Sequence, residues 1–187
     1  MRFDLREIAL HIMDVAENGI AAGADVVEIE VVEDPAKNRL SLFIGDNGHG
    51  MPGETVKQVT DPFYTTRTTR RVGLGLAFLK EAAERCDGGF DLESSPGAGT
   101  RVRAWFALDH IDRMPLGDMT ATITALIAAN PHVDLVYAHI VGNESFELDT
   151  RELRNDLAPL EINDPAVLSR LGGIIRERLA ALGGTAR

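Results

Sequence analysis

Three glycine-rich stretches follow one another in this chain: Asp46-Asn47-Gly48-His49-Gly50, Gly73-Leu74-Gly75-Leu76 and Gly97-Ala98-Gly99-Thr100. Glycine allows backbone to approach a ligand closely and to take positive φ. The middle stretch opens directly into an apolar-periodic segment, so free N–H groups and a helix dipole would face an anion there. That is phosphate chemistry, although each stretch alone also fits an ordinary turn. A second constellation precedes them. His11, Asp14 and Asn18 stand at i, i+3 and i+7 of a helical pattern and share a face, with Glu17 beside it. Two readings are open. The face is solvated, or Asp14 and Asn18 point into a site, where the carboxylate orients or deprotonates a nucleophile and the amide oxygen helps hold Mg²⁺. Between these features lies a basic stretch, 61–73, with Arg67, Arg70 and Arg71 against one acid, Asp61. It suits charge-assisted contact with phosphates, or else a solvated loop.

The elements that must position these residues follow from hydrophobic periodicity. Leu5, Ile8, Ala9, Ile12, Met13, Ala16 and Ile20 predict a helix over 4–22, stopped at Gly23. Strands are predicted at 26–32 and 40–44, joined through turn chemistry at 34–38. A short helix near 53–59, a loop over 60–73 and a helix over 75–85 come next. Alternating stretches at 90–93 and 100–106 flank a turn at 95–99 and read as a hairpin. This order predicts an α/β sandwich of two layers, a mostly antiparallel mixed sheet with helices on one face. Residues 1–109 make that unit. Residues 110–187 read as a small α+β extension, with a helix at 119–129 capped by Asp118 and strands at 133–141 and 146–148 pairing across Gly142-Asn143. A helix at 165–182, capped by Asp164 with Pro165 in its first turn, closes the extension. His49 reads as loop filler, Cys86 as a small hydrophobe and Trp105 as core.

Composition narrows the function classes. The chain has 187 residues, 44% hydrophobic and 26% charged, the balance of a globular protein. A net charge of −10 argues against general nucleic-acid or anionic-membrane binding. One cysteine excludes an intrachain disulfide and suits a reducing, cytoplasmic setting. The N-terminal segment carries Asp4, Arg6, Glu7 and Asp14, unlike a secretory signal, and no stretch has the roughly 20 apolar residues of a membrane span.

These residues resemble the motifs of the GHKL ATPases, the superfamily of gyrase, histidine kinases and mismatch-repair ATPases. Residues 14–24 (DVAENGIAAGA) resemble its N-box, 46–51 (DNGHGM) its G1 box, and 61–67 (DPFYTTR) the F-box of histidine kinases. Gly73-Leu74-Gly75-Leu76 looks like G2 and Gly97-Ala98-Gly99-Thr100 like G3. All five arrive in family order. The resemblance implies ATP as ligand and Mg²⁺ as cofactor. It implies that Asn18 ligates the metal and that Asp46 accepts from the adenine amine. Gly48 and Gly50 would make room for the base, with Met51 beside the ring. Residues 61–73, including Phe63, Arg67 and Arg70, would form a lid. Gly73, Leu74, Gly75 and Leu76 would line the phosphate site, and Thr100 would contact adenine directly or through water. Asp14 stands where the family carries its catalytic glutamate, and Arg71 where histidine kinases usually have glycine.

The N-box begins so early that the phospho-acceptor helix pair of histidine kinases is not expected before it. The absence of lysine after Lys80 argues against a transducer domain of the gyrase kind. The reading is thus an Mg-dependent, histidine kinase-like ATPase domain protein with a regulatory role, working with ATP or ADP and an unidentified protein partner. The alternatives are a protein serine or histidine kinase acting in trans, and a nucleotide sensor without hydrolysis. Family precedent admits a homodimer.

Overall fold

The computed structural model describes residues 7–60, 74–157 and 159–184, with Leu74 described by its backbone alone. The chain runs α1 (Ile8–Ala21), β1 (Val26–Asp34), β2 (Arg39–Asp46), α2 (Gly53–Val59), α3 (Leu74–Arg85), β3 (Gly89–Ser94) and β4 (Thr100–Ala107). It continues through α4 (Met119–Ala129), β5 (Asp134–Val141), β6 (Glu144–Asp149), α5 (Thr150–Leu157) and α6 (Pro165–Leu182). A single six-stranded sheet has the order β3-β4-β2-β1-β5-β6. Every pairing is antiparallel except β1 with β5. This is the mixed, mostly antiparallel sheet that the sequence predicts.

Alternation decides which face is covered. Val27, Ile29 and Val31 of β1 are buried, whereas Glu28 and Glu30 between them are exposed. Leu40, Leu42 and Ile44 of β2, Val102, Ala104 and Phe106 of β4, and Leu135 and Tyr137 of β5 continue the inner face. Under the helices these side chains join Ile8, Ile12 and Val15 of α1, Leu79 and Ala83 of α3, and Ile123 and Ile127 of α4 in one core. Each apolar side chain so buried is worth about 1.5–3 kcal/mol in transfer terms. The outer face carries Arg103 between Asp91 and Glu93, at 3.5 and 3.3 Å. These exposed pairs contribute little.

Residues 110–187 add β5 and β6 to the same sheet. They also finish α1. That helix has no side-chain cap at Glu7; instead the Ile8 and Ala9 N–H groups donate to the Pro115 and Leu116 carbonyls at 3.0 and 2.8 Å. Helix starts without such partners are costly when buried. The β1–β5 seam contains a buried polar chain. Tyr137 Oη lies 2.9 Å from His139 Nδ1, and His139 Nε2 lies 3.0 Å from Glu33 Oε1. All three residues are at most 5% exposed. Burial, and secondarily the charge of Glu33, push the Tyr137 hydroxyl's pKa above its ordinary value.

Some expectations shift. α1 starts at Ile8, because Glu7 is extended, with φ −136° and ψ 141°; residues 4–6 of the predicted helix lie outside the described residues. β2 runs on through Asp46, so the first acidic residue of the glycine-rich loop is strand. Trp105 is not core. It points from the outer face, half-buried, with the Arg39 guanidinium 5.0 Å from its ring centre. Helix α5 was not predicted, since Thr150–Leu157 is short and mostly polar. The Asp118 and Asp164 caps are present: their carboxylates accept from Ala121 N at 2.9 Å and Ala166 N at 2.8 Å.

Candidate functional site

The face of α1 that carries His11, Asp14 and Asn18 is turned inward, which overturns the solvated reading. His11 is 1% exposed, Asp14 and Asn18 are half-buried, and Glu17 alone is exposed. Burial lowers the His11 pKa, which favours the neutral imidazole, partly opposed by a hydrogen bond with the Gly75 backbone. Its Nδ1 has no partner among the described residues. Burial raises the Asp14 pKa, with a hydrogen bond from Asn18 acting the other way. The Asp14 carboxylate lies against Gly75 in the first turn of α3, in space that a Cβ would need. Glycine there is a steric requirement that joins two of the sequence motifs.

The first glycine-rich loop is built from the end of β2. Asp46 closes the strand, and its Oδ1 accepts from Gly48 N at 2.8 Å. Its Oδ2 accepts no hydrogen bond from a described residue. Asn47 turns outward, and its Oδ1 accepts from Asp25 N and Val26 N at 2.9 and 3.0 Å, tying the loop to the start of β1. His49 N donates to the Ala22 carbonyl at 2.9 Å, and Gly97 N donates to the His49 carbonyl at 2.8 Å. The loop is thus pinned to α1 on one side and to the β3–β4 turn on the other. Gly50 takes φ +66° with the Ser95 carbonyl in the place of a side chain, a position that suits no other residue.

Between these parts lies a cavity of about 540 Å³, within the usual range for small-ligand sites. Its wall is mostly apolar, from Val15, Ala22, Met51, Val59, Leu76 and Val102. Its polar groups come from Asn18, Asp46, His49 and Thr100. Of the residues singled out in the sequence, Asn18, Asp46, Gly50, Met51, Leu76 and Thr100 line this one cavity. Gly48 braces Asp46, while Asp14 and Gly75 meet each other. Leu74 is the first residue of α3. Phe63, Arg67, Arg70 and Gly73 lie outside the described residues. Among the described residues no cluster of three or more His, Cys, Asp or Glu is placed to hold a metal.

Two residues escaped the sequence reading. Asn47 is a loop anchor, a role its Asx-turn chemistry could have suggested. Ser94 links Met51, Gly99 and Thr100, which only the strand register reveals.

The family model for histidine kinase-, DNA gyrase B-, and HSP90-like ATPases matches residues 3–110, and the chain belongs to that family. The chain is 34% identical over 110 residues to the sensor histidine kinase YxdK of Bacillus subtilis (strain 168), covering 55% of this chain and 33% of that protein. It is 32% identical over 109 residues to a putative sensor protein of Shewanella frigidimarina (strain NCIMB 400), covering 58% and 16%. The chain therefore spans a third or less of the length of these curated relatives. Its fold matches the crystal structure of the N-terminal domain of a DNA repair protein, with TM-score 0.52, 14% identity, and coverage of 76% of this chain and 51% of that one. No helix among the described residues is long and apolar enough to cross a membrane.

Proposed function

We propose that this chain binds ATP with Mg²⁺ in the cavity beneath α1 and acts as a regulatory, histidine kinase-like ATPase. The observation that carries the reading is Asp46. One carboxylate oxygen is fixed by Gly48 N–H, and the other accepts from no described residue, at a side chain that lines a mostly apolar cavity. Asp46 is half-buried, and a ligand that closes the cavity would take this carboxylate out of water and must offer it a donor; an adenine amine supplies one where the flat base also finds Met51 and Val102. Asn18 would hold Mg²⁺ through its amide oxygen, with water completing the shell. The metal supplies charge neutralisation to the phosphates.

Asp14, one helical turn before Asn18 on α1, would orient a water and take its proton. Its burial suits that role, because a carboxylate with a raised pKa is a stronger base. Aspartate is one methylene shorter than the family's glutamate, which favours action through water. The second reading is a sensor: nucleotide sets the arrangement of residues 61–73, and those residues with 110–187 engage a protein partner, as monomer or homodimer. The third is phosphoryl transfer to a partner in trans, as the similarity to sensor histidine kinases suggests. The single buried cysteine, Cys86, suits a cytoplasmic setting.

Purified protein with γ-labelled ATP and Mg²⁺ separates these readings. Steady phosphate release that Asp14→Asn abolishes supports the ATPase. Binding without release or labelling supports the sensor. Label appearing on an added protein fraction supports the kinase. Absence of any nucleotide binding contradicts all three.

A further inference from the structure

Strand register places Ser94, Thr100 and Asp46 in one row. Ser94 of β3 faces Thr100 of β4, and Thr100 faces Asp46 of β2. Directly paired residues present their side chains on the same face, and here that face bounds the cavity at Thr100 and Asp46. Ser94 stands behind Thr100 and does not line the cavity.

The hydrogen bonds of Ser94 settle where the hydroxyl protons go. A serine hydroxyl has one proton and two lone pairs. The Gly99 carbonyl, 2.8 Å from Ser94 Oγ, can only accept, so it takes the serine proton. Met51 N–H, also at 2.8 Å, can only donate, so it takes one lone pair. Thr100 Oγ1 lies 3.0 Å from Ser94 Oγ. With the serine proton already used, Thr100 must donate into the remaining lone pair. Thr100 therefore turns its lone pairs, and no proton, toward the cavity. With the Asp46 carboxylate beside it, the polar edge at β2–β4 offers acceptors only.

We infer that Ser94 is a specificity-determining positioning residue: by holding the Thr100 proton it makes the cavity select a base with an amino group at this edge and reject one with a carbonyl. The inference rests on the nucleotide reading of the cavity. A 6-aminopurine presents a donor to both acceptors. A 6-oxopurine would bring a carbonyl oxygen against these acceptors with no proton between them, and a polar group left unpaired discriminates sharply between ligands. Without Ser94 the Thr100 hydroxyl is free to rotate and donate to that carbonyl.

The test is the ratio of affinities for ATP and inosine triphosphate, measured by titration on the full chain. Wild type is expected to prefer ATP. In Ser94→Ala the preference is expected to fall about tenfold, the scale of one gained hydrogen bond in place of an unpaired group. Ser94→Thr should restore it. In a Thr100→Val background the Ser94→Ala change should leave the ratio unmoved, because no hydroxyl is left to reorient. A merely structural Ser94 would weaken both nucleotides alike, and an unchanged ratio in Ser94→Ala overturns the inference. So does a shifted ratio that persists with Thr100→Val. Ser94→Cys, nearly isosteric with a weak donor, repeats the test if the alanine variant does not fold. Failure of wild type to bind either nucleotide strikes the reading of the cavity itself, a result distinct from an unchanged ratio.

Discussion

Asp14 and Gly75 are in direct contact, and the proposed chemistry depends on both. The raised Asp14 pKa means that the folded chain holds this proton more tightly than the unfolded chain. Its contribution therefore favours folding below the unfolded pKa and is lost as pH rises through the folded one. Asp14→Asn is expected to lose turnover while melting no lower than wild type, since an amide keeps a hydrogen bond with Asn18. A melting temperature well below wild type would make Asp14 a structural residue. Turnover in wild type should rise with pH along a limb above the ordinary carboxylate range, and the pH–rate profile reads it directly. Gly75→Ala places a methyl group in the Asp14 carboxylate. Overpacking of this kind costs roughly 1–3 kcal/mol, and turnover should fall more steeply than stability. The glycines and acids of the site were legible as residue types, because their spacing signals close backbone approach. The roles of Ser94 and Asn47 were not, because a hydroxyl or amide that bonds across strands leaves no local pattern.

At the scale of elements, caps and alternation carried the reading. Asp118 and Asp164 cap α4 and α6 as their positions before apolar runs require. Asp118→Ala should cost about 1 kcal/mol, a fall of about 2–4 °C in melting temperature for a chain this size, with ATP affinity unchanged within twofold. A change in affinity would show that α4 transmits strain to α1, on which it packs. What the sequence hid was the environment of α1. Its polar face looks solvated when the helix is considered alone, because inward and outward polar residues have the same period. The enclosing elements, α3 and the end of β2, come from well downstream, Asp46 and Gly75 against Asn18 and Asp14. The start of α1 was hidden for the same reason: its first N–H groups are satisfied by Pro115 and Leu116, more than a hundred residues away in the chain.

At the scale of the whole molecule the described strands form one sheet, and β1 at its middle joins the residues of the ATPase family match to residues 110–187. The parallel β1–β5 pairing runs for eight residue pairs from Val26 with Asp134 to Glu33 with Val141. Nothing in the strand patterns announces this, since parallel partners need no turn between them. Removing residues 110–187 would bare the β1 edge, uncap α1 and take His139 from Glu33. A fragment ending at residue 109 is expected to aggregate or to lack a cooperative melting transition, and a soluble fragment with a sharp transition would show that the extension is dispensable for folding. His139→Phe leaves the Tyr137 hydroxyl without its partner and should cost about 1–3 kcal/mol, read by chemical denaturation. The account as a whole stands on the cavity being an adenine nucleotide site. Calorimetric titration of ATP into wild type and Asp46→Asn tests this most directly. The account predicts saturable binding of one ATP per chain, weakened at least about tenfold in Asp46→Asn by loss of a charge-assisted hydrogen bond. No binding by wild type, or equal affinity in the variant, would contradict it.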